Sequence, residues 1–199
     1  MDSQYHYYAF ISYKREDEKW AKWLQTNIEH YSIPANIRKE IPRLPKHIRP
    51  VFRDKTDLGA GGLTSSLQKE LECSRFLIVI CSPHSAKSDW VRKEIEYFRN
   101  LGREEQIIPF IVDGIPHSED TSRECFHPIF NDFQDEPLGI NVKEIGRQKA
   151  LVKVLARILD LKYDALYDRI NRHNRKKRIN FALSTLLFCC IGLLYWFYT

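Results

Sequence analysis

Apolar positions in the first 160 residues follow two alternating patterns. Short continuous apolar runs are typical of strands buried on both faces, whereas apolar residues spaced three or four apart are typical of helices packed on a sheet. The runs predict strands at residues 7–12, 51–52, 76–81 and 106–112, and a weak edge strand at 138–142. The helical spacing predicts helices at residues 16–31, 63–73, 88–101 and 144–161. This alternation predicts an α/β domain with a central parallel sheet flanked by helices.

Two stretches lie outside this pattern. Residues 31–49 carry several prolines and are expected to form a long connecting loop, and residues 115–137 are expected to be irregular. No glycine-rich dinucleotide motif, phosphate-binding loop or serine-hydrolase elbow follows a predicted strand. The cysteines and histidines have no zinc-ligand spacing, so no metal site is predicted. The remaining candidate functional residues lie in three segments at the carboxyl ends of the strands, where parallel α/β sheets bind their ligands.

The first of these segments is the predicted helix 88–101, which carries a candidate acid. Glu94 lies one turn after Trp90, on the flank of the apolar face, whereas Glu96 lies on the opposite side and is expected in solvent. A half-buried acid beside an aromatic ring, near a strand-end cleft, is a plausible functional group. On spacing alone, an ordinary solvated flank residue is the more typical interpretation of Glu94. The apolar face is made by Val91, Ile95 and Phe98.

The second and third segments follow the first and second predicted strands. Tyr13, Lys14 and Arg15 place an aromatic ring and two cations at a strand end, which suits phosphate and base contacts or simply a solvated charged loop. Residues 57–62 form a glycine-rich loop, either a lid or docking loop or no more than a turn.

The basic residues of the chain are concentrated just before an apolar tail. The chain has 31 Lys and Arg against 26 Asp and Glu, but six of the bases fall within residues 169–178, and without them 25 bases face 26 acids. This local basicity weakens a nucleic-acid-binding interpretation. The six bases are Arg169, Arg172, Arg175, Lys176, Lys177 and Arg178.

The tail itself has the pattern of a membrane span. Residues 179–199 contain no Asp, Glu, Lys or Arg, and about 20 apolar residues are what a helix needs to cross a bilayer. Aromatic residues cluster at its far end, and the preceding bases favour a cytoplasmic domain. We therefore expect a basic helical stalk at 162–178 and a single transmembrane helix at 179–199, with the preceding domain in the cytoplasm. The alternative is a buried core helix.

Four blocks, in order along residues 5–160, resemble a Toll/interleukin-1 receptor (TIR) domain, and specifically the bacterial TIR proteins and the NAD-cleaving TIR enzymes. The first, FISYKR at 10–15, resembles the first-strand motif, and VFRD at 51–54 with the following glycine loop resembles the second strand and BB loop. FLIVICSP at 76–83 resembles the third strand, and SAKSDWVRKE at 85–94 resembles the catalytic helix motif with its W-x-x-x-E pattern.

The resemblance implies a flavodoxin-like TIR domain at 1–161 that cleaves the nicotinamide–ribose bond of NAD+. It implies that Glu94 is the catalytic residue and that NAD+ is the substrate, with no separate cofactor or metal. The implied substrate-binding residues are Tyr13, Lys14, Arg15, Trp90 and Ser85. The implied assembly loop contains Asp54, Asp57, Gly59, Gly61 and Gly62.

The resemblance also bears on partners. It implies self-association through TIR–TIR contacts, with activity on assembly, and a role as a bacterial defence or stress effector. The competing class is a non-catalytic TIR adaptor, since many TIR domains assemble through the BB loop without activity. With the bacterial setting that the resemblance implies, the inner (cytoplasmic) membrane is the second expected partner. Nucleic acid is not expected as a partner. The trigger for assembly is expected to come from a sensor protein or from a further C-terminal domain.

Overall fold

A parallel sheet forms the centre of the domain. The computed structural model describes residues 5–54, 63–135, 137–164, 166–168, 170 and 175. In these residues the strands pair in the order β2-β1-β3-β4-β5, and every pairing is parallel. This order is the flavodoxin-like order, and the predicted α/β class with a central parallel sheet is confirmed. The strands are β1 Tyr7–Ser12, β2 Phe52–Arg53, β3 Ser74–Cys81, β4 Ile107–Ile111 and β5 Ile140–Asn141.

Helices cover both faces of this sheet. The described helices are α1 Glu18–His30, α2 Ala35–Glu40, α3 Ser65–Glu72, α4 Asp89–Asn100, α5 Val142–Ile145 and α6 Arg147–Ile158. Along β3, Ile78 and Ile80 point into the core cluster shared with α1 and α6, while Leu77 and Val79 point into the cluster shared with α3 and α4. Because successive strand residues face opposite sides, a strand buried on both faces must be apolar at every position.

Two helices differ from the sequence prediction. The predicted helix 144–161 is broken into α5 and α6 at Gly146, whose φ of +79° lies in the region that favours glycine. The stretch 31–49, predicted as a loop, contains α2, which begins after Pro34 and buries Ile37 in the core. One buried residue per short helix leaves no periodic pattern along the chain, and the sequence prediction was wrong there for that reason.

The chain does not leave the domain at residue 161. Leu166 is 3% exposed and Ile170 is 6% exposed, and both belong to the core cluster of α1 and α6. The Lys153 ammonium lies 5.5 Å from the Tyr163 ring centroid, and the Lys149 ammonium lies 5.9 Å from that of Tyr167. The later tyrosine is thus paired with the earlier lysine of α6, so the segment after residue 161 runs antiparallel to α6, towards its first turn.

That first turn of α6 follows β5 and lies at the carboxyl edge of the sheet. The first part of the expected stalk is therefore packed against the domain and returns towards the edge where strand-end ligands bind. The expected transmembrane helix 179–199 lies outside the described residues. Within the part of the chain that the structure does describe, no helix is long and apolar enough to cross a bilayer.

Candidate functional site

The candidate acid is buried at the carboxyl edge of the sheet. Glu94 lies on α4, on the same side as the apolar residues of that helix, and is only 1% exposed. The half-buried position expected from helical spacing was therefore wrong. The spacing placed Glu94 on the flank of the helix correctly. The end of β1, however, packs over that flank, and the local sequence pattern of a helix does not show which other element covers it.

Both oxygens of the Glu94 carboxyl group have hydrogen-bond donors. The Ser12 hydroxyl, at the last residue of β1, donates to Oε2, and the Trp90 indole N–H donates to Oε1 at 3.1 Å. Trp90 and Glu94 are one turn apart on α4, whereas Ser12 is 82 residues away in the chain. The tertiary structure therefore brings a neutral donor from another element onto the acid.

Burial raises the pKa of Glu94 to about 8. The hydrogen bond from Ser12 opposes this rise, the negative charge of Asp54 adds to it, and the hydrogen bond from Trp90 opposes it. Neutral donors stabilise the carboxylate but bring no compensating charge, so desolvation dominates. The group is therefore mostly protonated at neutral pH in this state of the protein.

The exposed acid on α4 behaves differently. Glu96 faces solvent, as expected, and its carboxylate lies 2.8 Å from Nη1 of Arg92 in an i,i+4 ion pair. Glu96 and Glu94 thus form a matched pair of acids on one helix, one solvated and one buried. Glu96 can serve as the control for substitutions of Glu94.

Tyr13 lies at the base of the glycine-rich loop. Its hydroxyl donates to the backbone carbonyl of Asp54 at 2.5 Å and accepts from Nη1 of Arg53 at 2.9 Å. Arg53 also donates to Glu18 at 3.1 Å and to Gln25 at 3.1 Å, and is only 9% exposed. The sequence analysis included Arg53 in the VFRD block but gave it no role, although a cation adjoining a two-residue apolar run was a usable signal. The network holds Asp54, the residue that follows β2, against α1.

The other predicted substrate-binding residues lie around this edge. Lys14 and Trp90 are half-buried, and Arg15 is exposed. Ser85 is buried, and its hydroxyl is engaged within its own loop by the backbone of Ser82. The structure thus places Trp90 in contact with Glu94. The 13–15 segment directly follows Ser12, the other residue that contacts Glu94, while Ser85 supports the loop that precedes α4. Their predicted contacts with a substrate stay predictions.

Only one member of the predicted assembly loop lies among the described residues. Asp54 follows β2, and its negative charge acts on Glu94. Asp57, Gly59, Gly61 and Gly62 lie outside the described residues. In the described part of the chain, no group of three His, Cys, Asp or Glu side chains is placed to hold a metal ion.

This arrangement suits chemistry in which positive charge develops on a substrate. A buried carboxyl group with a raised pKa can ionise when a cation approaches, because opposite charge favours the ionised form. In a site shielded from water the resulting attraction is stronger than in solution. The chemistry that this edge supports best is therefore stabilisation of a cationic centre by Glu94.

Comparison with known proteins identifies similar chains. A family model described as TIR domain matches residues 9–137. Among curated proteins, the NAD(+) hydrolase ApTIR of Actinoplanes sp. is 32% identical over 110 residues, which are 54% of this chain and 14% of that protein. This chain therefore spans a small part of that relative. Among solved structures, the TIR domains of the activated Roq1 resistosome directly recognizing the pathogen effector XopQ are 20% identical, with a TM-score of 0.45, over 75% of this chain and 98% of that one.

Proposed function

Because this chain belongs to the TIR domain family, we propose that it cleaves NAD+ at the bond between nicotinamide and ribose. The observation that carries the proposal is the buried Glu94 carboxyl group at the carboxyl edge of the sheet, held by Ser12 and Trp90. The similarity to an NAD(+) hydrolase supports the choice of substrate. NAD+ is consumed as the substrate, and the proposed reaction uses no further cofactor.

The proposed reaction begins with cleavage of the C–N bond. The bonding electron pair moves to the ring nitrogen, so the pyridinium becomes neutral nicotinamide and no acid is needed for the leaving group. The ribose C1 acquires oxocarbenium character, and water adds there and loses a proton to give ADP-ribose. An internal nucleophile of the substrate in place of water would give a cyclic product.

Glu94 acts in this scheme as an ionised carboxylate. The pyridinium charge of bound NAD+ lowers the pKa of the nearby carboxyl group, so substrate binding and ionisation favour each other. The carboxylate then orients the ribose hydroxyls and stabilises the positive charge at C1. Ser12 and Trp90 hold the carboxylate during this step by donating to its two oxygens.

The proposal is tested by nicotinamide release from NAD+ by the full chain, clustered artificially. Glu94→Gln keeps the shape of the side chain and removes its charge, so turnover should be lost while the fold is retained. Glu96→Gln should retain wild-type turnover, since that side chain lies in solvent. A folded Glu94→Gln protein that releases nicotinamide at the wild-type rate would contradict the catalytic role. A clustered wild type that releases none would favour the adaptor function.

We further propose that activity requires TIR–TIR assembly through the 54–62 loop. Support comes from the position of Asp54, whose charge acts on Glu94, so that the first loop residue and the acid belong to one edge. Gly61→Pro should restrict the loop and suppress turnover without unfolding the sheet. The test is turnover against protein concentration. Full activity in dilute, strictly monomeric protein would show that assembly is not needed.

The remaining part of the proposal is membrane attachment by residues 179–199, with the TIR domain in the cytoplasm. The charge pattern supports it, because six bases immediately precede the apolar stretch. Confinement to a bilayer would raise the local concentration of the domains and favour assembly. In this setting NAD+ depletion would serve as a bacterial defence or stress response. The NAD+-cleaving activity would be triggered by a sensor protein or by a further C-terminal domain.

The attachment is tested by carbonate extraction and by protease protection of an N-terminal tag. The full chain should stay in the membrane fraction, and deletion of 179–199 should release it into the soluble fraction. Carbonate extraction of the full chain would show a peripheral or buried segment instead. Protection of the tag on the non-cytoplasmic side would separate the domain from cellular NAD+ and contradict the function.

A further inference from the structure

A second buried carboxyl group lies at the same edge of the sheet. Asp17 ends the short turn Arg15–Asp17 that joins β1 to α1, and it is only 6% exposed. The hydroxyl of Ser82, the residue after β3, donates to Oδ2 of Asp17 at 2.5 Å. This hydrogen bond joins the segment that follows β1 to the loop that follows β3, two segments 65 residues apart in the chain.

The Ser82 hydroxyl group is the centre of that loop. It has one proton and two lone pairs, and the proton points to Asp17. Its oxygen accepts from the backbone N–H groups of His84 and Ser85, each at 3.2 Å. The Ser85 hydroxyl in turn accepts from the Ser82 N–H at 2.8 Å and donates to the Ser82 carbonyl at 3.0 Å. Asp17 therefore sets the direction of the hydroxyl group on which two backbone donors of the loop depend.

The loop leads directly to the helix that carries the acid. It ends at Ser88, whose side chain caps α4, and Glu94 follows on that helix. On the other side of the hydrogen bond, Ser12 donates to Glu94 from the end of β1, five positions before Asp17. The two segments joined by Asp17 and Ser82 are thus the two that hold Glu94 in place.

The surroundings of Asp17 disfavour its ionised form, so a carboxyl group here lowers the stability of the fold more than a neutral turn residue would. Burial raises the pKa of Asp17, the Ser82 hydrogen bond and the nearby His84 oppose that rise, and Glu16 and Asp113 add to it. A neutral acceptor satisfies a serine hydroxyl at a smaller desolvation cost. A hydrogen bond to an ionised carboxylate is, however, about twice as strong as one between neutral groups. A carboxylate at this position therefore gives a stronger hydrogen bond between the two segments, at a larger desolvation cost than a neutral acceptor.

We propose that Asp17 is a positioning residue for the Glu94 site: through Ser82 it holds the loop before α4, and thereby the approach of Glu94 to Ser12. Asp17 does not touch the substrate in this scheme. The inference rests on the proposed NAD+ cleavage for its kinetic readout, and on the contacts of Glu94 for a second readout that needs no activity.

The kinetic test compares substitutions of Asp17 in the clustered full chain. Asp17→Ala removes the acceptor and should lower kcat at least about tenfold with little change in KM, because misplaced catalytic groups cost turnover more than binding. Asp17→Asn retains an acceptor oxygen and should recover part of that loss, because a neutral acceptor makes a weaker hydrogen bond than a carboxylate does. Glu16→Ala, an exposed acid next in the chain, is the matched control and should match the wild type.

The second readout is the environment of Trp90, which donates to Glu94. In protein labelled with 5-fluorotryptophan, the Trp90 ¹⁹F resonance is assigned by its loss in Trp90→Phe. It should shift in Asp17→Ala and stay near the wild-type position in Asp17→Asn and Glu16→Ala. A merely structural role elsewhere in the fold would not move this resonance together with kcat.

Each outcome decides the inference. A folded Asp17→Ala protein with wild-type kcat, or with reduced kcat and an unmoved Trp90 resonance, overturns it, as does an Asp17→Asn protein as impaired as Asp17→Ala. If Asp17→Ala does not fold, Ser82→Ala tests the same hydrogen bond, and wild-type kcat there overturns the inference. If the wild type releases no nicotinamide, the proposed function fails, and the Trp90 resonance alone then supports or overturns the positioning role.

Discussion

The burial of Glu94 predicts that its replacement by glutamine stabilises the protein, and that the gain grows with pH. The pKa of this carboxyl group is about 8 in the folded protein, against 4.5 for a glutamate side chain in the unfolded chain. Between these two values the folded protein retains the proton and the unfolded chain releases it. The free energy of unfolding of the wild type therefore falls as pH rises through this window, and the loss levels off above about pH 8.

The two pKa values set the size of the effect. The loss in the wild type is less than about 1 kcal/mol at pH 5, about 3 kcal/mol at pH 7 and about 5 kcal/mol at pH 9. Glu94→Gln keeps the shape of the protonated side chain and has no proton to lose. The variant should therefore match the wild type near pH 4 and exceed its stability by these amounts at higher pH.

The assay is urea-induced unfolding of both proteins at pH 5, 7 and 9, followed by tryptophan fluorescence. The difference between variant and wild type is the measured quantity, because titrating groups that do not interact with Glu94 contribute equally to both proteins. Asp54 interacts with Glu94, so its contribution is part of the measured difference. Glu96→Gln is the control and should show no comparable rise, since that acid is exposed and paired with Arg92. A Glu94→Gln difference that stays constant or shrinks from pH 5 to pH 9 would refute the burial and protonation of this carboxyl group.

Two further predictions concern the contacts of Glu94, and a third concerns the packing of Leu166 and Ile170. First, kcat/KM for NAD+ should rise about tenfold per pH unit and level off above about pH 8, as Glu94 ionises; a flat profile from pH 6 to 9 would contradict its role as a carboxylate. Second, Ser12→Ala removes a hydrogen bond that lowers the pKa of Glu94, so this rise should move to higher pH, and an unmoved profile would show that the hydroxyl does not act on the acid. Third, Leu166→Ala and Ile170→Ala should each lower the free energy of unfolding by about 2–4 kcal/mol in urea titrations, with Lys162→Ala within about 0.5 kcal/mol of the wild type; unchanged stability in both would place the segment outside the packed domain.

Several parts of the fold and of the site were predictable from the sequence. The apolar run at 76–81 identified β3, and the spacing of Val91, Ile95 and Phe98 identified the buried face of α4. The strand and helix periods are local properties, so they are readable without any long-range contact. The W-x-x-x-E spacing placed Trp90 and Glu94 one turn apart, and the structure has the hydrogen bond between them.

Other parts were not predictable, and each depends on contacts between distant residues. Ser12 and Arg53 stood in the motif blocks but were given no role, and Asp17 was not singled out, because each matters only through a partner on another element. The role of Ser85 within its loop also depends on the neighbouring backbone, which its position in the motif does not show. Side chains that act through tertiary hydrogen bonds have no periodic signature in a single sequence.

The sequence by itself determined the alternation of strands and helices, the parallel arrangement that follows from it, and the edge at which chemistry is expected, because periodicity and connection rules act over short stretches of chain. Only the tertiary structure decided how deeply Glu94 is buried and which donors meet it. Helical spacing gives the direction of a side chain, but the pKa depends on everything that packs around the carboxyl group, including a strand end 82 residues away. For this protein, the local pattern predicted where Glu94 lies on its helix, and the tertiary packing determined its protonation state.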